Sequence, residues 1–383
     1  MIGNLRKIFP LVFLLITLVL ACGRILPTGQ VTPVPSAPPL SLPTSTLPVP
    51  TSLPTPLPDQ GPLPRVLTEV DFGLATGDGY EPQAIALDES HGLAAVLNYY
   101  YEDTVQSCVS IVDVERGQVM DTVPLPWLSI GPLAIGGGRI YIGHEENGEN
   151  YLSAVDVATH QVVATMATDF LYYGNPLIVD ADAGRLYAVF SDHLEARATA
   201  DLSPLGSFPF TPAPGDIGLT LDAATDRLYL SLGEQVVVLQ ASTLRQVDTF
   251  NLSQEAPVTA CFLDAAGERL YIQGNTAILV LDTDTGQVLT RLGPGIGDYW
   301  RLLGIDGAGQ PYVYYTQEAT DWLAVLDPTS GETINKIPAR YDDKFVLDRE
   351  RGILFTARYT NHTLDLSDAP QLTTRQTIPL GIA

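Results

Sequence analysis

The chain has 383 residues, 45% of them apolar, which is ample for a large core, and its 44 acidic against 20 basic residues give a formal charge of −24. That balance argues against nucleic acid as a partner, because phosphate binding is dominated by Lys and Arg, and it disfavours electrostatic docking on anionic lipid. Three cysteines, Cys22, Cys108 and Cys261, are too few and too scattered for any metal-ligand spacing, and no cofactor-binding pattern is present.

Residues 1–22 read as a secretion signal: Arg6 and Lys7 supply the positive start, and Ile8 to Leu20 form an apolar run too short to span a bilayer comfortably. Val19-Leu20-Ala21-Cys22 resembles the lipobox of bacterial lipoproteins. The resemblance implies removal of residues 1–21, acylation of Cys22, and an exported, extracytoplasmic protein that meets the membrane through its lipid anchor only. Gly23 rather than Asp follows the cysteine. That family's inner-membrane retention signal is therefore missing, and the anchoring leaflet stays open.

Residues 22–64 carry the anchor cysteine and a linker. Thirteen prolines fall between Pro27 and Pro64, among Thr, Ser, Leu and Val, with no charge between Arg24 and Asp59. Proline removes amide donors and fixes φ, so this stretch is expected to be a disordered, polyproline-like stalk.

From residue 65 to 383 one pattern recurs. Its clearest version, Cys261 to Leu292, has four short runs (Cys261 to Leu263, Arg269 to Ile272, Ala277 to Leu281, Gln287 to Leu292) separated by turns of Asp, Gly, Asn and Thr. The runs are too short for helices and rich in Ile, Leu, Val and Tyr, as strands are. The strand after the first turn is the most regular: its second residue is Ala94, Tyr141, Tyr187, Tyr229, Tyr271, Tyr312 and Phe355, at intervals of 41 to 47 residues. A steady period in the low forties, made of strands alone, predicts a seven-bladed β-propeller of four-stranded antiparallel blades, an all-β fold. The third strand usually ends in an acidic residue (Asp113, Asp156, Asp282, Asp327), expected to cap the next turn through backbone amides. Asp282-Thr283-Asp284 is too short a loop, with too few oxygens, for calcium. Cys108 and Cys261 lie in strands of distant repeats and are expected to be buried free thiols.

Gly267-Glu268-Arg269-Leu270-Tyr271, with Leu281-Asp282 and Gln287-Val288, resembles the YVTN-type repeat of seven-bladed propellers. Asp226-Arg227-Leu228-Tyr229 and Gly184-Arg185-Leu186-Tyr187 match it as well. The resemblance implies fold more than activity, since propellers host binding proteins and enzymes alike. Val66 to Leu74 is strand-like and is expected to close the ring beside the last repeat.

With strands A to D numbered outward from the axis, A–B and C–D turns open on one face and B–C and D–A connections on the other. The first set is short and polar. The second carries longer stretches at Asn98 to Asp103, His144 to Asn150, Phe170 to Pro176, Asp298 to Arg301, Arg340 to Lys344 and Tyr359 to His362. Aromatic residues on long connections over a rigid scaffold point to a binding surface. The candidate ligand-binding residues are Tyr99, Tyr100, Trp127, His144, Glu145, Tyr172, Tyr173, Tyr299, Trp300, Arg301, Tyr341, Asp342, Arg358 and Tyr359. Inner strands are apolar, and neither the converging polar set of a propeller lactonase nor the recurring Trp of a quinoprotein is evident. The reading is a monomeric, non-catalytic binder of a protein, peptide or glycan; a lactonase-like hydrolase is the alternative.

Overall fold

The computed structural model describes residues 81–380, apart from 102–104, 130, 169–175, 213–215, 265, 267 and 294–298. Seven four-stranded antiparallel sheets follow one another along the chain, each a simple meander. Blade 1 is β1 (Glu81–Asp88), β2 (Leu93–Tyr101), β3 (Val105–Asp113) and β4 (Gln118–Leu125); blade 2 is β5 (Leu133–Gly136), β6 (Arg139–Glu146), β7 (Glu149–Asp156) and β8 (Val162–Thr168). Blade 3 is β9 (Leu177–Asp180), β10 (Arg185–Val189), β11 (His193–Ala198) and β12 (Pro204–Pro209); blade 4 is β13 (Leu219–Asp222), β14 (Arg227–Leu232), β15 (Gln235–Gln240) and β16 (Arg245–Asn251). Blade 5 is β17 (Cys261–Leu263), β18 (Arg269–Gln273), β19 (Ile278–Asp282) and β20 (Val288–Leu292). Blade 6 is β21 (Tyr299–Ile305), β22 (Pro311–Gln317), β23 (Thr320–Leu326) and β24 (Thr333–Pro338); blade 7 is β25 (Lys344–Asp348), β26 (Ile353–Arg358), β27 (Thr363–Asp368) and β28 (Thr373–Pro379). This is the seven-bladed propeller the repeats predict.

Strand alternation explains where the core sits. Side chains point to opposite faces in turn, so each blade has two apolar faces, and each face meets a neighbour. In β2, Ala94 and Val96 pack on blade 7 while Ala95 and Leu97 pack on blade 2. The buried residues accordingly fall into seven clusters, one between each pair of adjacent blades. The cluster joining blades 7 and 1 shows that the ring closes. The run Val66 to Leu74, the signal, Cys22 and the linker lie outside the described residues.

The face formed by A–B and C–D turns is tied repeatedly. Inner strands end in Asp88, Asp180, Asp222 and Asp348, or are followed at once by Asp264 and Asp306, and each carboxylate accepts amides of its own A–B turn, such as Arg351 N–H on Asp348 at 2.8 Å. Asp113, Asp156, Asp282 and Asp327 cap the C–D turns likewise. The repeat tyrosine reaches into the next blade: Tyr141 Oη donates to Thr199 O and Tyr187 Oη to Ala241 O, both at 3.1 Å. Arg227 Nη1 donates to Thr283 O at 3.3 Å, and Arg351 Nη1 to Glu89 O at 2.9 Å. In blades 2, 3 and 4 the Arg-x-Tyr signature thus ties one blade to the next. Gly286 shows how tight these turns are: at φ +66°, a Cβ there would lie 2.1 Å from the Phe250 ring.

Two features differ from the sequence expectation. Much of the excess on the B–C and D–A side is strand, not loop. β2 and β3 run nine residues each and β6 and β7 eight, against five in β10, β18 and β19. The hairpin of blade 2 closes on Asn147-Gly148, both at positive φ, which suits a two-residue turn between twisted strands. Tyr299 to Arg301 likewise open β21 and pair with β22. The second feature is a bulge at the same point of every outermost strand. The extra residues are Met120, Val163, Leu205, Val247, Leu289, Ile334 and Arg375, six of seven being large aliphatics, and those six are exposed. A bulge twists an edge strand and blunts its pairing with another chain.

Candidate binding pocket between blades 6 and 7

The inner strands β21 and β25 lie side by side. Near their starts, on the B–C and D–A side, Tyr299, Arg301, Leu303, Tyr314, Tyr341, Asp343 and Phe345 line a small hollow, part of it open to solvent. Alternation in β21 selects the lining. Tyr299, Arg301 and Leu303 face blade 7, whereas Trp300 and Leu302 turn towards blade 5 and pack in its cluster. Tyr314, opposite Arg301 in the ladder, supplies the back wall. The aromatic rings stand at angles to one another: Tyr299 to Tyr314, Tyr299 to Tyr341 and Tyr314 to Phe345 are each 6.3 Å between centroids. The cluster between blades 6 and 7 is the smallest of the seven, with six buried residues.

The polar groups divide into committed and open ones. Asp343 is buried and accepts from Arg358 Nη1 at 2.8 Å and from the amides of Arg340 at 3.2 Å and Tyr359 at 3.4 Å. Arg358 also donates through Nε to Asp365 at 2.9 Å; burial opposes its charge, and the two carboxylates more than offset that. Tyr314 is 4% exposed, and its hydroxyl, close to Asp321 and Thr316, meets the geometry of a hydrogen bond with no group among the described residues. Burial, then Asp321, pushes that phenol upward, so it remains a neutral donor. Burial, with Arg301 nearby, pulls the Lys344 ammonium down, against the pull of Asp342 and Asp343. Arg301 is exposed and forms no ion pair among the described residues.

Of the sequence candidates, this pocket gathers Tyr299, Arg301 and Tyr341, with Arg358 and Tyr359 bonded to Asp343 behind it and exposed Asp342 beside it. Trp300 stands apart as packing. Trp127 and His144 form a separate stack with Tyr151: ring centroids are 3.8 Å apart for the first pair and 5.5 Å for the second. His144 is only 2% exposed and meets Ser153 Oγ at 2.9 Å, and burial lowers its pKa to about 4, so it is a neutral core histidine. Glu145 is exposed near the tip of the blade 2 hairpin, and Tyr99 is half-buried in β2, where Tyr100 also lies. Tyr172 and Tyr173 lie outside the described residues. Sequence reasoning passed over Leu303, Tyr314, Asp343 and Phe345. Comparing the repeats at two residues after the staple position would have exposed Tyr314, since the other blades have Val96, Gly143, Val189, Ser231, Gln273 and Ala357 there.

Cys108 and Cys261 are free and buried, and burial pushes both thiols up to about 12. Among the described residues, no group of three or more His, Cys, Asp or Glu side chains is arranged to hold a metal.

No family model matches the chain, and no curated protein matches it by sequence. Solved structures do match by shape. KlHsv2 with its loop 6CD replaced by a Gly-Ser linker superposes with a TM-score of 0.59 at 12% identity, over 78% of this chain and 99% of that one. Kluyveromyces lactis Hsv2 with the complete loop gives 0.58 at 13%, over 79% and 100%; Hsv2 of Kluyveromyces marxianus gives 0.59 at 10%, over 79% and 100%. At such identities the likeness establishes the propeller fold alone.

Proposed function

We propose that this protein is a cell-envelope lipoprotein with YVTN-type blades, whose propeller acts as a non-catalytic binding module. Cys22 carries the lipid, residues 22–64 form the stalk, and the B–C and D–A side faces the partner: a protein, peptide or glycan. The observation that supports this reading is the tyrosine-walled pocket between blades 6 and 7. Pockets with aromatic walls and a few placed polar groups are where ligands are held, and its one lining carboxylate, Asp343, is already bonded to Arg358 and two amides. The test is capture from envelope extracts by the full-length, detergent-solubilised protein and by its Tyr341→Ala variant. Tyr341 is 69% exposed, so the variant folds normally and is expected to lose the partner. Equal capture by both proteins would overturn the assignment of the site. Loss of membrane attachment in Cys22→Ala checks the anchor.

A further inference from the structure

We propose that this chain's own proline-rich segment, Pro54 to Pro64, docks as a polyproline helix on the exposed faces of Tyr299 and Tyr341, with Asp59 against Arg301. The docking rests on the reading of the B–C and D–A side as the binding side, and the docked segment is what a partner has to displace there. Three observations lead to it.

The first is what the site leaves to a partner. The hollow between blades 6 and 7 has room for about one water, so a partner meets its rim. Tyr299 and Tyr341 stand there 42% and 69% exposed, ring centroids 6.3 Å apart and planes tilted by 52°. The other large apolar side chains exposed among the described residues are aliphatic, so the two exposed aromatic rings are neighbours. Polyproline helices are read by such surfaces, their pyrrolidine rings packing on aromatic faces. The second observation is reach. β1 runs from Glu81 to Asp88, and Asp88 caps an A–B turn, so Glu81 lies at the D–A end. β1 and β25 are adjacent, as are β25 and β21, and Tyr341 stands three residues before β25 begins. The chain therefore enters the propeller on the side, and in the sector, where the two tyrosines are exposed. Sixteen residues separate Pro64 from Glu81, enough for up to about 50 Å of extended chain. A tether that short holds the segment at an effective concentration on the order of millimolar, so even a weak site is filled.

The third is composition and charge. Five of the eleven residues from Pro54 to Pro64 are proline, and their fixed φ lowers the cost of ordering the segment on a surface. Its single charge is Asp59. At the site, Arg358 holds two carboxylates, at 2.8 and 2.9 Å, whereas Arg301 lines the rim without an ion pair among the described residues. Guanidinium pairs with carboxylate in a planar, two-bonded geometry. In a chain with 44 acidic and 20 basic residues, a strongly acidic peptide is repelled, while a neutral helix carrying one carboxylate is not.

The experiment uses the full-length, membrane-anchored protein with a photoreactive benzophenone amino acid in place of Thr55. Irradiation should join it to a peptide of the same chain that contains Tyr299 or Tyr341, read by mass spectrometry after digestion. Tyr341→Ala, or the combined variant Pro54→Ser, Pro56→Ser, Pro58→Ser, Pro62→Ser and Pro64→Ser, should lower that yield roughly fivefold, and Arg301→Gln about threefold. Freed of its own segment, the combined proline variant should also capture the envelope partner roughly three- to tenfold better. Cross-links elsewhere on the propeller would overturn the site, and cross-links that join two chains would replace the chain's own segment by that of a second copy. A yield unchanged by loss of the prolines would overturn polyproline recognition. If no cross-link reaches Tyr299 or Tyr341 but envelope capture still depends on Tyr341, the docking fails and the binding reading stands. If the cross-link forms and capture is independent of Tyr341, the binding reading fails and the docking stands.

Discussion

Arg358→Met is the sharpest single test of how the pocket is supported. The side chain of Asp343 is fully buried, and Arg358 is its charged partner, so the substitution leaves a carboxylate in the interior with two long amide contacts, at 3.2 and 3.4 Å. Breaking a buried ion pair from one side costs about 3–5 kcal/mol. The remaining amides, and the Thr377 hydroxyl that still serves Asp365 at 2.8 Å, place this case at the lower end, about 3 kcal/mol. For a domain of this size each kcal/mol moves Tm by about 2 °C, so thermal unfolding should start about 6 °C lower. Asp343→Asn removes the stranded charge. Introduced into the Arg358→Met background, it should return at least half of the loss, giving a positive coupling in the double-mutant cycle. A fall of under about 2 °C, or no recovery in the double variant, would refute the view that the pair is buried and mutually dependent.

Three further outcomes follow from the same geometry. Trp300→Ala, which opens the blade 5–6 cluster, should cost about 2 kcal/mol, whereas Tyr341→Ala should leave Tm unchanged; similar melting of the two would contradict the alternation of β21. His144 has its pKa lowered from 6.5 to about 4 by burial, so below about pH 6.5 the unfolded chain takes up a proton the native one refuses. Stability then falls with pH, by about 3 kcal/mol at pH 4; in His144→Phe, which keeps the stack on Trp127, the melting-against-pH curve should lose one proton's slope over that window. Leu289→Lys, at an exposed bulge, should alter stability by under about 0.5 kcal/mol, read by urea titration, and a larger loss would mean that the bulge residue packs.

The fold was legible because its ties repeat. An Arg-x-Tyr pair that ties blades 2, 3 and 4 to their neighbours, aspartates that cap turns, and short apolar runs between them recur along the chain, so their period names the architecture. The pocket was legible only in part. Tyr299, Arg301 and Tyr341 stood out as excess over the plainest blade, but length alone could not separate a longer loop from a longer hairpin. Asn147-Gly148 is the turn signal that distinguishes them. Trp300 sits between two pocket residues and points the other way; only the phase of β21 decides that, and the phase depends on where the strand begins. Tyr314 and Phe345 lie inside ordinary strands and become a wall only when two blades meet. Tyr314 is visible only as a departure from the small or unbranched residues at that place in the other repeats, and nothing in the chain says which neighbour it will face.

The unequal faces have a mechanical cause. On the A–B and C–D side, the aspartate caps hold the turns, and staples such as Tyr141 to Thr199 and Tyr187 to Ala241 fix them against the next blade. Arg349 adds a longer tie there, donating to Leu263 O at 3.0 Å from blade 7 to blade 5. An insertion in such a turn would break a cap and an inter-blade bond together. On the B–C and D–A side the hairpins end beyond the last packed pair, so a strand lengthens by adding ladder bonds at its tip without disturbing a neighbour. Blades 1, 2 and 6 carry such extensions. The pocket lies where one lengthened blade, blade 6, meets a neighbour whose inner strand, β25, has only five residues. A step between adjacent blades leaves a wall exposed, and here that wall is Tyr299, Arg301 and Tyr314. Variation in ligand is therefore expected to track the lengths of β21, β22 and β25, with the staples and caps unchanged.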